Sequence, residues 1–390
     1  MSLKKKIWFI ILLIVLLLLA SGVIYAHGVL QGISGEQLDE STLSVNTMLD
    51  EGIINIALFG IDGRDDVDGD RSDTIMIASV DFSTGNVKIT SVMRDLMVRI
   101  PETEDTYPSY EKINSAYSYG GPQLAVQALN ENFDLNITDY VVVNFDCLVD
   151  TVDALGGVDI NVESEDILEW TNKYIDDVND KVGKSDPYLE TTGEQHVTGV
   201  QALAYCRNRY SDSDYKRTER QREVVSQIIQ KGMTIDLLQA INLMSDIYPY
   251  IQTSLSFSEM SAYAQSFLSA DSKAISDFRI SVDKLSSEET LNGTWYLVPN
   301  TLADNALVLH YFIYGTVEDY TPSETVLDIT DKIAYYGSTP TGVTIDPMML
   351  DQYIETDEEI AAEEAAEEAS VTEQPAVDPT VTEQPAAPIE

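Results

Sequence analysis

A near-continuous apolar run that stops at a glycine, Ile53-Ile-Asn-Ile-Ala-Leu-Phe-Gly60, constrains the fold most strongly. Such a run reads as a buried strand that delivers the chain into a loop. The loop, 61–74, is dense in carboxylates and turn formers. Two further short strands are expected at 75–80 and 87–92, joined by the turn Ser83-Thr-Gly-Asn86, a good hairpin signal. Downstream, Gly120-Gly-Pro122 opens a helix with Leu124, Val126, Ala128 and Leu129 on its buried face, and Pro122 suits a first turn. A strand at 140–145, a short helix from Cys147 to Leu155 closed by Gly156-Gly157, and a strand at 158–162 follow. This alternation, with some hairpin pairs, predicts an α/β fold of α+β character, a single mixed β-sheet covered by helices. The Asp-, Lys- and Asn-rich residues after Val162 read as an irregular excursion around Trp170. Residues 193–199 turn into a basic stretch, and 223–231 continue as a helix. Beyond Gly232 the same unit continues, with helical spacing at 237–247 and 260–268, a turn and strand at 292–298, and an apolar helix at 307–314.

The two ends of the 390-residue chain read differently. Lys4, Lys5 and Lys6 precede an uncharged apolar stretch, 7–26, long enough for a helix to cross the hydrocarbon core. A cleaved signal has a shorter apolar region and a small-x-small site, which Ile24 and Ala26 supply poorly. The expectation is an uncleaved single-pass anchor in the cell membrane, with the lysines cytoplasmic and everything after His27 extracellular. Residues 351–390 hold no Lys or Arg and repeat Val371-Thr-Glu-Gln-Pro-Ala376 as Val381-Thr-Glu-Gln-Pro-Ala386. So few large apolar residues cannot bury a core, which predicts a disordered acidic tail. The expected organisation is a cytoplasmic terminus 1–6, an anchor 7–26, a stalk 27–50, a catalytic domain 51–340 and a Pro/Glu/Ala-rich tail 341–390.

Against 66 Asp+Glu the chain carries only 23 Lys+Arg, a net charge of -43. That acidity argues against nucleic acid as a partner. Yet Arg207, Arg209, Lys216, Arg217, Arg220 and Arg222 crowd into one stretch. Guanidinium forks gathered so closely suit a multiply charged anion. A solvated helix face with i,i+3 pairs such as Glu219 with Arg222 is the alternative. Arg207 and Arg209, two apart at the end of the apolar run 202–205, fit one face of a strand better. Asp62 and Asp73 lie at ends of predicted strands, with Asp65, Asp66, Asp68 and Asp70 between them. Carboxylates opposite an arginine cluster suggest a hard divalent cation shared with substrate phosphates, although a solvated acidic loop has the same composition. The two cysteines, Cys147 and Cys206, read as buried small hydrophobes. His27, His196 and His310 are too scattered for a Ser/His/Asp triad or a His-rich zinc site.

Seven motifs in order complete the picture: Phe59-Gly-Ile-Asp-Gly-Arg64, Arg71-Ser-Asp-Thr74, Ser91-Val-Met-Arg-Asp95, Lys112-Ile-Asn114, Leu155-Gly-Gly-Val158, Ala204-Tyr-Cys-Arg-Asn-Arg209 and Asp214-Tyr-Lys-Arg-Thr-Glu-Arg-Gln221. In these the chain resembles the LytR-CpsA-Psr family of bacterial cell-envelope phosphotransferases, over about residues 53–231. The resemblance implies that Asp62 and Asp73 hold Mg2+, with Mn2+ as the alternative. It implies that Arg64, Arg94, Arg207, Arg209 and Arg217, with Gln221 beside them, surround a polyprenyl pyrophosphate head group. Lys112 and Arg220 match further motif positions, and Asp95 and Asp214 would orient the arginines or take the acceptor's proton. Cys206, where a small Ala is common, and Val92-Met93 before Arg94 depart from the usual pattern. The implied activity is transfer of a glycan phosphate from a polyprenyl-pyrophosphate-linked glycopolymer to a peptidoglycan acceptor at the membrane. Hydrolysis of the same pyrophosphate and non-catalytic lipid-head-group binding by a wall scaffold are the rivals.

Overall fold

The computed structural model describes residues 37–49, 52–61, 72–81, 83–103, 107–211, 214–232, 251–255, 274–281, 283–317, 320–337 and 339–354. The apolar run forms β1 (Ile53–Ile61), and β2 (Ser72–Asp81) and β3 (Asn86–Val92) follow, each antiparallel to the strand before it. A small hairpin, β4 (Met97–Ile100) and β5 (Ser109–Lys112), leads into α1 (Asn114–Phe133). Then come β6 (Asp139–Val143), α2 (Phe145–Ala154), β7 (Val158–Val162), α3 (Glu165–Val182), β8 (Gly193–Val197), α4 (Gly199–Arg207) and α5 (Asp214–Gly232). The remainder supplies β9 (Ile251–Thr253), β10 (Ile275–Ile280), the hairpin β11 (Ser286–Leu291) and β12 (Thr294–Pro299), α6 (Leu302–Tyr314) and α7 (Glu324–Gly337).

The central sheet has the order β10-β3-β2-β1-β6-β9. β6 runs parallel to β1 and β10 parallel to β3, while β2 and β9 run the other way. The mixed sheet covered by helices is therefore as expected, but it is accompanied by three two-stranded ladders, β4-β5, β7-β8 and β11-β12. Period-two alternation sorts the side chains of the central strands. Ala57, Phe59, Ile75 and Ile77 enter the main core with Leu124, Leu129 and Phe133 of α1 and Leu309 and Phe312 of α6. On the other face Met76, Val87 and Ile89 meet Val225 and Ile229 of α5. A second core joins α2, α3, α4 and the β7-β8 ladder through Val149, Val158, Ile175, Val200 and Leu203. Its tightest point is Gly199, where an added Cβ would stand 2.1 Å from the Val149 carbonyl oxygen, so α2 and α4 can cross this closely only at a glycine.

Several expectations need correction. The run 202–205 is helical, not a strand. Thr198 caps α4 in a reciprocal capping box with Gln201, and this local closure outweighs the two-residue spacing of the arginines. The supposed excursion around Trp170 is the 18-residue helix α3, capped by Ser164 and ended by Gly183 in the left-handed region. Residues 193–197 pair as β8 instead of forming only a turn. α1 begins at Asn114, ahead of the expected start, and kinks at Gly120 and Gly121. The segment 37–49 is not a free stalk, because Leu43 is fully buried and Asn46 bonds the Leu135 and Asp134 carbonyls. Packing also continues past 340, with Ile345 and Leu350 buried in the main core. The helices expected at 237–247 and 260–268, the anchor 7–26 and the tail beyond 354 lie outside the described residues. Among the described residues no helix is long and apolar enough to cross a membrane.

Candidate functional site

β1, β3, β6 and β10 point the same way, so their carboxyl ends share one edge of the sheet. Open α/β sheets commonly bind ligands at such an edge. Asp73 stands there, at the start of antiparallel β2, and Arg94 and Asp95 follow the end of β3. Their geometry is a continuous relay of opposite charges. Arg94 reaches Asp73 Oδ1 through Nη1 at 2.7 Å and Asp95 Oδ2 through Nε at 3.0 Å. Lys112, the last residue of β5, donates to Asp95 Oδ1 at 2.6 Å. Arg209, in the extended segment after α4, donates through Nη2 to Asp73 Oδ2 at 2.6 Å.

The scaffold explains why these groups hold still. The Arg94 carbonyl accepts from Asn114 N, and the Asp95 carbonyl accepts from Leu297 N, which fixes the β3 exit from two sides. Lys112 lies over the Trp295 and Tyr296 rings, at 5.4 and 5.9 Å from their centroids. Asp95 is only 6% exposed, and each of its oxygens accepts a bond from a cation of the chain, which suits an orienting group. Arg217, on the first turn of α5, is 2% exposed. Burial works against the Asp73 charge, but Arg209, Arg94 and Arg217 together outweigh it and hold that carboxyl below its usual range. Asp73 is therefore a carboxylate at neutral pH.

The other candidates are placed differently. Arg207 closes α4 and turns to Asp177 of α3 at 2.5 Å, packed over the Phe145 and Tyr174 rings. Arg220 is 4% exposed and spends its fork on the carbonyls of Tyr205 and Asn208, at 3.2 and 2.8 Å. That contact fixes the end of α4 and hence the approach of Arg209. Gln221 donates to the Cys206 carbonyl at 3.5 Å. Asp214 opens α5, and its side chain, like Asp62 and Arg64, lies outside the described residues. Burial pushes both thiols, Cys147 and Cys206, up to about 12, so neither is a nucleophile at neutral pH. Two contributors went unread in the sequence. Trp295 gives only a strand signal in the sequence, and Asp177, 30 residues from Arg207, has no spacing that announces the pair.

Asp73 can accept a divalent cation. Its side chain is 41% exposed, and each carboxylate oxygen keeps a second lone pair beyond its one arginine bond. A single hard carboxylate, completed by phosphate oxygens, suits Mg2+. Among the described residues no cluster of three or more His, Cys, Asp or Glu side chains forms a metal cage.

The LytR_cpsA_psr family model matches residues 28–308. The polyisoprenyl-teichoic acid–peptidoglycan teichoic acid transferase TagU of Bacillus cereus (strain AH820) is 29% identical over 306 residues, covering 75% of this chain and 92% of that protein. The TagU of Bacillus mycoides is 30% identical over 272 residues, 66% of this chain and 82% of its own. Among solved structures, Bacillus subtilis TagV aligns with a TM-score of 0.53 at 26% identity, over 70% of this chain and all of that one.

Proposed function

The chain belongs to the LytR_cpsA_psr family, and we propose that it is a membrane-anchored, Mg2+-dependent glycopolymer transferase. It moves a glycan phosphate from a polyprenyl pyrophosphate donor to a sugar hydroxyl of peptidoglycan. One observation carries this reading. In a protein of net charge -43, Arg94, Arg209 and Arg217 act together on the single carboxylate Asp73. Such a gathering of fixed cations matches a pyrophosphate, whose charge grows on the leaving group during transfer. The relatives named as transferases of polyisoprenyl-linked teichoic acid to peptidoglycan support the same class of donor and acceptor.

In the reaction the acceptor oxygen attacks the phosphorus that bears the glycan. A new P–O bond forms, the bond to the bridging oxygen breaks, and that oxygen departs with polyprenyl phosphate. The hydroxyl proton passes to solvent. Arg94 and Arg209 hold the pyrophosphate oxygens, and Arg217 adds positive potential from a site shielded from water. Asp95 and Lys112 keep Arg94 in place. Asp73 and Asp62 would hold Mg2+, which when bound would supply positive charge to neutralise the phosphate oxygens. The stretch 7–26 keeps the domain at the outer membrane face, where polyprenyl donors reside.

The test combines the full-length protein, a polyprenyl-pyrophosphate oligosaccharide, peptidoglycan fragments and Mg2+, and mass spectrometry of the products. A phosphodiester-linked conjugate that disappears with EDTA is expected. Free oligosaccharide phosphate without conjugate would identify a hydrolase instead, and an intact donor would point to binding alone.

A further inference from the structure

Beside the charged site lies an aromatic shelf that the transfer chemistry does not use. Tyr210 follows Arg209 directly, and its ring rests on two rings of α3. Its centroid is 4.6 Å from that of Trp170 and 6.4 Å from that of Tyr174, the latter nearly parallel. Lys173 Nζ sits 3.8 Å from the Trp170 centroid, and Arg207 packs over Tyr174. Trp170 and Tyr174 are thus largely covered, whereas Tyr210 remains 67% exposed. A ring that served only to pin its segment to α3 would bury far more of its area.

From this geometry we propose that Tyr210, backed by Trp170 and Tyr174, is a sugar-binding subsite that positions a pyranose ring of the glycan next to the pyrophosphate site. A pyranose has an apolar C–H face that lies flat on an electron-rich ring, and hydroxyls at its rim that need polar partners. The Arg207–Asp177 pair beside Tyr174 supplies such partners at the shelf's edge. The occupant follows from continuity. Tyr210 is the next residue after Arg209, whose guanidinium bonds Asp73 and also acts electrostatically on Tyr174, so a sugar on the shelf lies within reach of the same head group, as the donor's own glycan or as the acceptor. Donor glycan and peptidoglycan acceptor share this pyranose chemistry. The inference rests on the transferase reading.

Tyr210→Ala and Tyr210→Phe variants of the full-length protein in detergent test it, because an exposed side chain can be changed without loss of the fold. Three probes are titrated: polyprenyl pyrophosphate without sugar, the same lipid carrying a disaccharide, and a soluble peptidoglycan glycan fragment. Tyr210→Ala should weaken a sugar-bearing probe roughly fivefold to tenfold, Tyr210→Phe should leave it near wild type, and the bare lipid should be unaffected. Loss confined to the disaccharide lipid assigns the shelf to the donor, and loss confined to the fragment assigns it to the acceptor. Sugar affinities unchanged by Tyr210→Ala, or a bare lipid weakened equally, would overturn the subsite. A wild-type protein that ignores bare polyprenyl pyrophosphate yet binds the glycan fragment through Tyr210 would sink the transferase reading and leave the subsite standing.

Discussion

The two ends of the central sheet both place cations near buried backbone, and they use them in opposite ways. At the amino end of β3, Lys88 donates to the carbonyls of Phe312 and Ile313 at 2.6 and 2.9 Å, closing the end of α6. Asn55, Ser79, Asn136 and Tyr314 bond one another beside it. Each charge or dipole there answers another group of the chain. At the carboxyl end, Lys112, Arg94, Arg209 and Arg217 are set around Asp95 and Asp73, so among the described residues cations outnumber carboxylates two to one. A cation that caps a helix completes the fold. Cations gathered from three separate elements around two carboxylates suit an anionic ligand, and that convergence marks the site more sharply than burial does, since Lys88 and Arg94 are both half-buried.

The largest expected effect breaks the charged end. Arg217→Ala should lower transfer by about 10²–10³, the usual cost of removing one fixed donor to a developing phosphate charge. Urea unfolding of the same variant should still show a single cooperative transition. Normal turnover by Arg217→Ala would end the assignment of this edge as the catalytic site.

Much of that edge could be read in the sequence, and the reasons are specific. β1, β2 and β3 declare themselves because apolar runs bounded by Gly and Asn punctuation have few alternatives. Asp73, Arg94, Lys112 and Arg209 were nameable through motif order, although nothing in their spacing shows that β3, β5 and the exit of α4 converge. α4 was misread because its arginines lie two apart, while its true signal, Thr198 followed three residues later by Gln201, is a capping box. α3 hid behind its polarity, yet Ser164 and the pairs Glu169–Lys173 and Asp177–Lys181 at i,i+4 mark a solvent-facing helix. Leu43, alone among polar neighbours, and Leu350, at the end of the short run Met348-Met-Leu350, are buried in grooves assembled from distant helices. Local pattern cannot report them.

A second prediction concerns the amino end alone. His310 of α6 is fully buried, bonds the Phe133 carbonyl through Nε2 at 2.8 Å, and stacks on Tyr320 at 3.6 Å. Burial pushes its pKa down to about 4, with the Phe133 bond and Asp134 only partly opposing. The folded state therefore resists a proton that the unfolded chain accepts. His310 contributes stability that is complete above about pH 6.5 and is lost as pH falls toward 4, a loss of about 3 kcal/mol. Unfolding free energies at pH 7, 5 and 4 should drop faster for the wild type than for His310→Gln, which keeps a donor and does not titrate. Parallel pH profiles would show that this histidine is not held neutral.

Arg220 belongs in sequence to the basic stretch and in structure to the closed kind of cation. Removing its fork in Arg220→Met takes the guanidinium from the Asn208 carbonyl and leaves the Tyr205 carbonyl only the Asn208 N–H, which should cost about 2 kcal/mol of stability. Because those carbonyls fix the segment that carries Arg209, transfer should also fall, by roughly tenfold. Affinity for bare polyprenyl pyrophosphate should change less than turnover. If Arg220→Met instead lost lipid binding and kept its stability, Arg220 would rejoin the substrate-binding arginines.

The smallest effect tests the amino end from its own cation. Lys88→Met preserves most of the aliphatic stem and deletes the ammonium that the Phe312 and Ile313 carbonyls share. Desolvation already holds that ammonium below its usual pKa range, partly offset by Asp81, so the charge itself is costly where it sits. What the lysine returns is two bonds to the last turn of α6, aligned with the helix dipole. The balance should be a loss of about 1 kcal/mol in unfolding free energy. Transfer and lipid affinity should match wild type, because Lys88 lies at the opposite end of the strands from Asp73. A Lys88→Met protein with normal stability and impaired transfer would mean that the two ends are coupled through the sheet, and that a convergence of cations alone does not locate the chemistry.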